Sequence, residues 1–326
     1  MSAPHRFVAG LPDPPDASAP VRATWTRHFF NTGVAFRSMY RLATAIPRPI
    51  ASALAFGGTR VAYWTLRATR AAVADNFRGA FPDLSPSQID ALTLRTYHSY
   101  SSDVLDLFRS VSMPQERALE LFEDCDLHGG AFMQAREGGK GVILVTGHFG
   151  NWEIGGALMR ALDLPMTIVA MREASDEINR LRVEFRERFG ADTIEVRQSM
   201  DTALQIRRRL AENRIVAMLM DRYVDRDRVP VTFFGRRAWF LRTPPLLAYM
   251  TGAPLLPCSV VRLPSGLFRV RPGTPIHVSH DVDRDTAVQQ AAQAFADQLE
   301  ACIRETPHAW YQFYPYWPSQ DAVGAD

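Results

Sequence analysis

Two kinds of hydrophobic spacing divide this chain. Across 84–109, apolar residues recur at the three-to-four spacing of a helix face, and Ser85-Pro86-Ser87 with Asp90 supplies a start signal, which predicts a helical hairpin. From Gly141 the pattern changes to short apolar runs alternating with amphipathic stretches. The runs at 141–146, 166–171, 193–196, 215–220 and 255–261 read as strands. The stretches at 151–162, 175–189 and 200–212 read as helices. Strands joined by helices of this length predict an α/β fold with a mainly parallel central sheet flanked by helices. No internal repeat interrupts it.

The region before this pattern differs in charge as well as in spacing. Between Ala17 and Ala74 there is no acidic residue, only arginines 22, 27, 37, 41, 48, 60, 67 and 70. Among them lie Trp25, Phe29, Phe30, Val34, Phe36, Met39, Tyr40, Leu42 and Ile46, then an apolar patch over 49–58, then Tyr63, Trp64 and Leu66. A basic, aromatic, amphipathic segment suits a helix lying in a lipid interface, with apolar groups below and cations meeting anionic headgroups above. The chain holds one lysine, Lys140, against many arginines, so coding bias explains part of the arginine richness but not the exclusion of acids. The expected organisation is a flexible, Pro- and Ser-rich tail over 1–20 without a secretory signal, a basic amphipathic membrane-associating extension over 21–70, and an α/β domain over 71–318. The longest uncharged run, 243–261, approaches the ~20 residues that span a bilayer. Its Pro244, Pro245, Gly252, Pro254 and Pro257 make it a buried loop, helix and strand instead.

Composition narrows the function classes further. At 326 residues, 47% apolar, the chain is long enough for a large core. Cys125, Cys258 and Cys302 are odd in number, widely spaced and in no CxxC pair, which argues for a reducing compartment and against a zinc site. The pI near 8.5 comes mostly from the N-terminal segment and accompanies no nucleic-acid motif, so no nucleic-acid partner is expected. No phosphate-cradling GxxxxGK[ST] loop and no metal-ligand spacing occurs.

Chemistry concentrates at Thr146-Gly-His-Phe-Gly-Asn-Trp-Glu-Ile-Gly-Gly156, at the carboxyl end of a buried strand, where open α/β sheets place their ligands. Histidine is the side chain best matched to removing a hydroxyl proton near neutral pH, and a nearby acid fixes its tautomer. His148 is the candidate base, with Glu153 or Asp221 as its partner. Asn151 is a natural N-cap, and Gly147 and Gly150 let backbone approach a ligand closely. Backbone N–H groups around Gly150 and at the following helix start are candidate oxyanion donors. The absence of a GxSxG elbow, and of Ser or Cys in the motif, argues against an acyl-enzyme and for direct attack by an acceptor hydroxyl.

His148-Phe-Gly-Asn-Trp-Glu153 resembles the HX4D/E motif of the bacterial lysophospholipid acyltransferase superfamily. The match is to the branch of the lipid A late acyltransferases (lauroyl and myristoyl transferases) and phosphatidylinositol mannoside acyltransferase. The resemblance extends through Asn76-Phe-Arg-Gly-Ala-Phe-Pro82, Met171-Arg172, Leu219-Met-Asp-Arg222, Val231-Thr-Phe-Phe-Gly235 and 243–254, in the family's order, over about residues 25 to 317. It implies an O-acyltransferase with His148, Glu153 and Asp221 as catalytic residues. It places substrate at Gly150, Asn151, Arg172, Arg222, Phe233, Phe234 and Gly235, the phenylalanines shaping a groove. It implies an acyl-ACP or acyl-CoA donor, no other cofactor, no metal, and a lipid or glycolipid hydroxyl acceptor of lipid A type or related. The expected location is peripheral, on the cytoplasmic face of the inner membrane. Arginines 180, 182, 186, 188, 207 to 209, 236, 237 and 242 offer a face for an acidic carrier protein or coenzyme A phosphates. A thioesterase and a non-catalytic lipid-binding homologue are the alternatives. The N-terminal segment, interrupted by arginines, and the ending Trp310-Tyr-Gln-Phe-Tyr-Pro-Tyr-Trp317 both depart from the lipid A branch.

Overall fold

The computed structural model describes residues 33–123, 130–172, 175–196, 200–224 and 227–317. The tail over 1–20, the first part of the basic extension and Cys125 lie outside the described residues.

Helices α1 (Gly33–Ala45), α2 (Arg48–Thr65), α3 (Arg67–Ala80) and α4 (Pro86–Val111) come first. The predicted hairpin over 84–109 is instead the single 26-residue helix α4. Nothing inside it breaks the ladder: its only proline, Pro86, sits in the first turn, where the missing N–H would have no intrahelical partner. Ser85 starts it with a capping box, its side chain accepting from Gln88 N while Gln88 reaches back to Ser85 N.

After the short α5 (Gly130–Arg136) the chain alternates: β1 (Val142–Thr146), α6 (Gly155–Ala161), β2 (Met166–Ala170), α7 (Asp176–Arg188), β3 (Ala191–Glu195), α8 (Met200–Ala211), β4 (Ile215–Leu219). A hairpin of β5 (Val229–Phe233) and β6 (Arg236–Phe240) follows, then α9 (Thr243–Thr251), β7 (Leu255–Arg262), β8 (Phe268–Pro272) and α10 (Arg284–Glu305). The main sheet has the order β3-β2-β4-β1-β7-β8, parallel except for the edge pair β7-β8. The α/β expectation therefore holds. Boundaries agree within a few residues except for α6, expected from Asn151 and formed only from Gly155.

Ile143, Val145, Ile215, Val216, Leu255 and Leu256 are fully buried because helices cover both faces of the sheet. Each such side chain contributes about 1.5–3 kcal/mol relative to exposure. The main core is continuous with the aromatic cluster of Phe77, Phe233, Phe240, Trp310 and Trp317.

The N-terminal helices are docked on α4. Tyr63 is buried and its hydroxyl donates to Asp90, Arg109 Nη1 donates to Ile46 O at 3.0 Å, and Arg48 pairs with Asp106 at 2.9 Å. Asp106 and Asp103 of α4 also hold Arg262 of β7, closing a buried charge cluster between helix and sheet. The buried face of α2 is Ala51, Thr59 and Tyr63. Its other face exposes Ile50, Leu54, Val61 and Trp64, which fall within an arc of about 80° at roughly 100° per residue. No helix of the described residues is long and apolar enough to cross a membrane.

Candidate active site

The register of the central strands assembles the site. Strands β1 and β4 are parallel neighbours paired Val142 with Ile215 through Thr146 with Leu219. The ladder continues where Met220 N donates to Thr146 O at 2.9 Å. Two residues past the last pair, the same offset sets His148 opposite Asp221. His148 Nδ1 lies 2.7 Å from Asp221 Oδ1, and His148 N donates to Asp221 Oδ2 at 2.9 Å. An ionised carboxylate only accepts, so Nδ1 carries the proton and Nε2 keeps the lone pair.

Burial is the largest influence on this imidazole, and with the Arg222 guanidinium it pushes the His148 pKa below its ordinary value against the pull of Asp221. The Asp221 side chain is wholly buried; burial alone would raise its pKa, but His148 and Arg222 hold the carboxyl below the usual range. The pair rests as neutral imidazole and carboxylate, with 16% of the His148 side chain still exposed.

The loop after β1 is held from two sides. Gly150 (φ 63°) bridges to Val260 of β7, and a Cβ there would sit 2.0 Å from Val260 O. Gly150 N donates to Ala309 O and Asn151 N to Val260 O, both at 2.8 Å. These two amides, expected as oxyanion donors, are consumed by the scaffold, because the loop continues the sheet's pairing beyond the strand end. Buried Asn151 donates from Nδ2 to Asp103 O at 3.0 Å. Its Oδ1 accepts from Ile154 N at 3.4 Å, so it caps a turn before α6 rather than the helix itself.

Over this loop runs the C-terminal segment. Phe149 and Trp310 form an antiparallel bridge, and Tyr311 N donates to His148 O at 2.7 Å. The Tyr311 hydroxyl donates to Asp103 at 2.6 Å. The Tyr316 hydroxyl donates to the Asp221 carbonyl at 2.7 Å. Asn76 of α3 fixes the segment, donating to Gln312 O and Tyr314 O and accepting from Tyr316 N. The Trp152 ring stands edge-on to His148 at 5.3 Å.

The remaining sequence candidates separate. While Nδ1 of the imidazole meets Asp221, Glu153 pairs with Arg182 at 2.8 Å and Arg186 at 3.6 Å on α7. Burial alone would raise its pKa, yet the two guanidinium groups outweigh burial and hold it below its ordinary value. Arg172 is more than half exposed and bonds Asp176 at 2.7 Å, with Glu195 3.7 Å away. Arg222 donates to Gln312 Oε1 at 3.0 Å and to Tyr311 O at 3.1 Å, so it anchors the C-terminal segment. Phe234 (φ 52°) and Gly235 (φ 70°) form the two-residue turn of the β5-β6 hairpin, where both central residues need positive φ. Phe233 and Phe234 are buried among Trp310 and Trp317. They pack into the core and the hairpin turn.

Of the arginines expected to face a donor, 188 pairs with Glu184, 208 and 209 with Glu212, and 242 with Asp285. Sequence reasoning did not single out Asp103, Tyr311 or Gln312. The aromatic run 310–317 was the visible trace of the last two.

A family profile described as bacterial lipid A biosynthesis acyltransferase matches residues 25–319. Phosphatidylinositol mannoside acyltransferase of Mycolicibacterium smegmatis is 27% identical over 293 residues, covering 88% of this chain and 91% of that protein. The protein of the same name from Mycobacterium tuberculosis is 26% identical over 245 residues, 73% of each chain.

Proposed function

Because the chain belongs to the bacterial lipid A biosynthesis acyltransferase family, we propose that it carries fatty acyl groups from acyl-ACP or acyl-CoA to a hydroxyl of a membrane lipid or glycolipid, with His148 as general base. That it is an acyltransferase follows from the family; the base, the donor class and the acceptor are the proposal. The two relatives' names, both acyltransferases of a mannosylated phosphatidylinositol, favour a glycolipid acceptor.

The observation that carries the reading is the His148–Asp221 dyad at the end of adjacent parallel strands. The acceptor O–H gives its proton to Nε2 of His148 as its oxygen attacks the thioester carbonyl carbon. Asp221, hydrogen-bonded at Nδ1, stabilises the imidazolium. The tetrahedral intermediate collapses with cleavage of the C–S bond, and the imidazolium returns the proton to the departing thiolate. No covalent enzyme intermediate is needed.

Membrane association is the second part of the proposal. The stripe of Ile50, Leu54, Val61 and Trp64, with Arg60, Arg67 and Arg70 beside or just after it, suits a helix lying in an anionic interface on the cytoplasmic side of the inner membrane. Placing Asp at Leu54 or Val61 adds a charge where a helix face would enter lipid, without touching the buried face on α4. Cosedimentation with vesicles containing anionic lipid is expected to weaken roughly tenfold or more in each variant. Binding equal to wild type overturns the assignment of this face.

The lowered pKa of His148 sets a pH dependence. The base works only when neutral, so activity is retained above its pKa and lost as pH falls through it. Since burial and Arg222 hold that pKa under the ordinary 6.5, the acid limb of kcat/KM is expected below pH 6.5. A limb above that value contradicts the arrangement.

The acceptor is identified by mass spectrometry of lipids from cells lacking the gene and from complemented cells. One lipid class is expected to lose a fatty acyl chain and to regain it on complementation. Purified protein that hydrolyses acyl thioesters unaffected by added acceptor lipid would point to a thioesterase instead.

A further inference from the structure

One oxygen of the buried acid has work other than holding the imidazole. Asp221 Oδ2 accepts from His148 N at 2.9 Å and from Gln312 Nε2 at 2.7 Å. Gln312 is 1% exposed and anchored through its own carbonyl by Asn76 Nδ2 at 3.0 Å. Its Oε1 accepts from Arg222 Nε at 3.0 Å. Only one orientation of the amide satisfies both neighbours: the carboxylate has no proton to give and the guanidinium has no lone pair to offer. The side chain therefore stands between Asp221 and the arginine next to it in sequence.

Resting on the reading of His148 as the base, we propose that Gln312 is a positioning residue for acyl transfer: it pins Asp221 so that Oδ1 faces His148 Nδ1, and it keeps Arg222 from closing directly on the carboxylate. An Arg222–Asp221 ion pair would draw the carboxylate's charge away from the imidazole and weaken the base. Among the described residues, the charged and titratable groups acting on the dyad are Arg222, Arg182 of α7, and Tyr314 and Tyr316 of the C-terminal segment. Of these Arg222 is the cation that Gln312 itself holds, through Oε1, while its Nη2 donates to Tyr311 O at 3.1 Å.

Two substitutions of similar size separate positioning from packing. Gln312→Met keeps the length and removes donor and acceptor. It is expected to lower kcat about 10- to 100-fold, as loss of an orienting partner behind a reacting group does, with KM for donor and acceptor within about twofold of wild type. Its acid limb moves to lower pH, because Arg222 is released toward Asp221. Gln312→Glu keeps the acceptor for Arg222, removes the donor and sets a second carboxylate beside Asp221. It favours the imidazolium and moves the limb to higher pH. The same opposite displacements are expected without turnover, in the pH dependence of diethyl pyrocarbonate modification of His148, read as the difference from His148→Ala. Folded variants whose limb and modification profile coincide with wild type overturn the proposal, as does an unchanged kcat. If His148→Ala still transfers acyl groups, the base reading and this inference fall together. If it is inactive while both Gln312 variants behave as wild type, only the role of Gln312 is withdrawn.

Discussion

Replacing His148 by alanine is expected to lower kcat/KM for acyl transfer by about 10²–10⁴-fold, the range that a positioned general base contributes. The variant is expected to fold, for a reason visible in the hydrogen bonds of Asp221. The substitution removes the Nδ1 contact, but the buried carboxylate keeps the backbone N–H of residue 148 and the Gln312 amide as donors. A buried charge left with two donors escapes most of the penalty that makes such substitutions unfold a protein. Initial rates with an acyl thioester donor and a lipid acceptor, together with a thermal melt, check both halves. A rate within tenfold of wild type in a folded variant removes His148 from the chemistry.

Asp221→Asn is expected to cost a comparable 10²–10⁴-fold, through the tautomer rather than through packing. Two donors, His148 N and Gln312 Nε2, converge on the Oδ2 position, and one, His148 Nδ1, meets Oδ1. An asparagine has a single oxygen, and it satisfies more donors at the Oδ2 position. Its NH2 group then faces His148 Nδ1, which must become the acceptor, and the proton moves to Nε2. The lone pair that would take the acceptor's proton is thereby turned away from the substrate. Glu153→Gln makes the contrast, since Glu153 serves Arg182 and Arg186 instead of the imidazole. Its kcat is expected to fall less than about tenfold, with the larger effect on thermal stability, because two partly buried guanidinium groups lose their shared anion. If Glu153→Gln proves as inactive as Asp221→Asn, the motif acid has a chemical role that its ion pairs do not reveal.

The fold was legible where burial imposes a local pattern. A parallel strand covered on both faces must be apolar throughout, and 141–146, 215–220 and 255–261 announce themselves for that reason. The start of α7 near residue 175 was equally plain, and there the Ser175 side chain accepts from Ile178 N, a bond made within one turn of chain. The β5-β6 hairpin was missed. Its turn uses Phe234, a bulky residue with positive φ, and Pro230 inside the first strand reads against a paired strand. The late start of α6 was hidden as well, because residues 149–151 are drawn into pairing with β7 and the 306–312 segment, which no local signal reports.

The site divides along the same line. The sequence by itself determined that a histidine, an acid and glycines stand at a strand end, because strand, turn and helix follow one another within a dozen residues. It left Glu153 and Asp221 as alternative partners of His148. Only the tertiary structure decided which acid meets the imidazole, by placing β4 rather than β2 beside β1 and carrying the register two residues past the strand ends. Five residues along the chain, Glu153 is turned toward α7; 73 residues along, Asp221 meets the imidazole. Strand neighbours are chosen by how helices of given length and hand pack across a sheet, a property of the whole core. The same packing laid the C-terminal segment over the dyad and brought Gln312 to Asp221, a contact between residues 91 apart that no spacing in the sequence encodes.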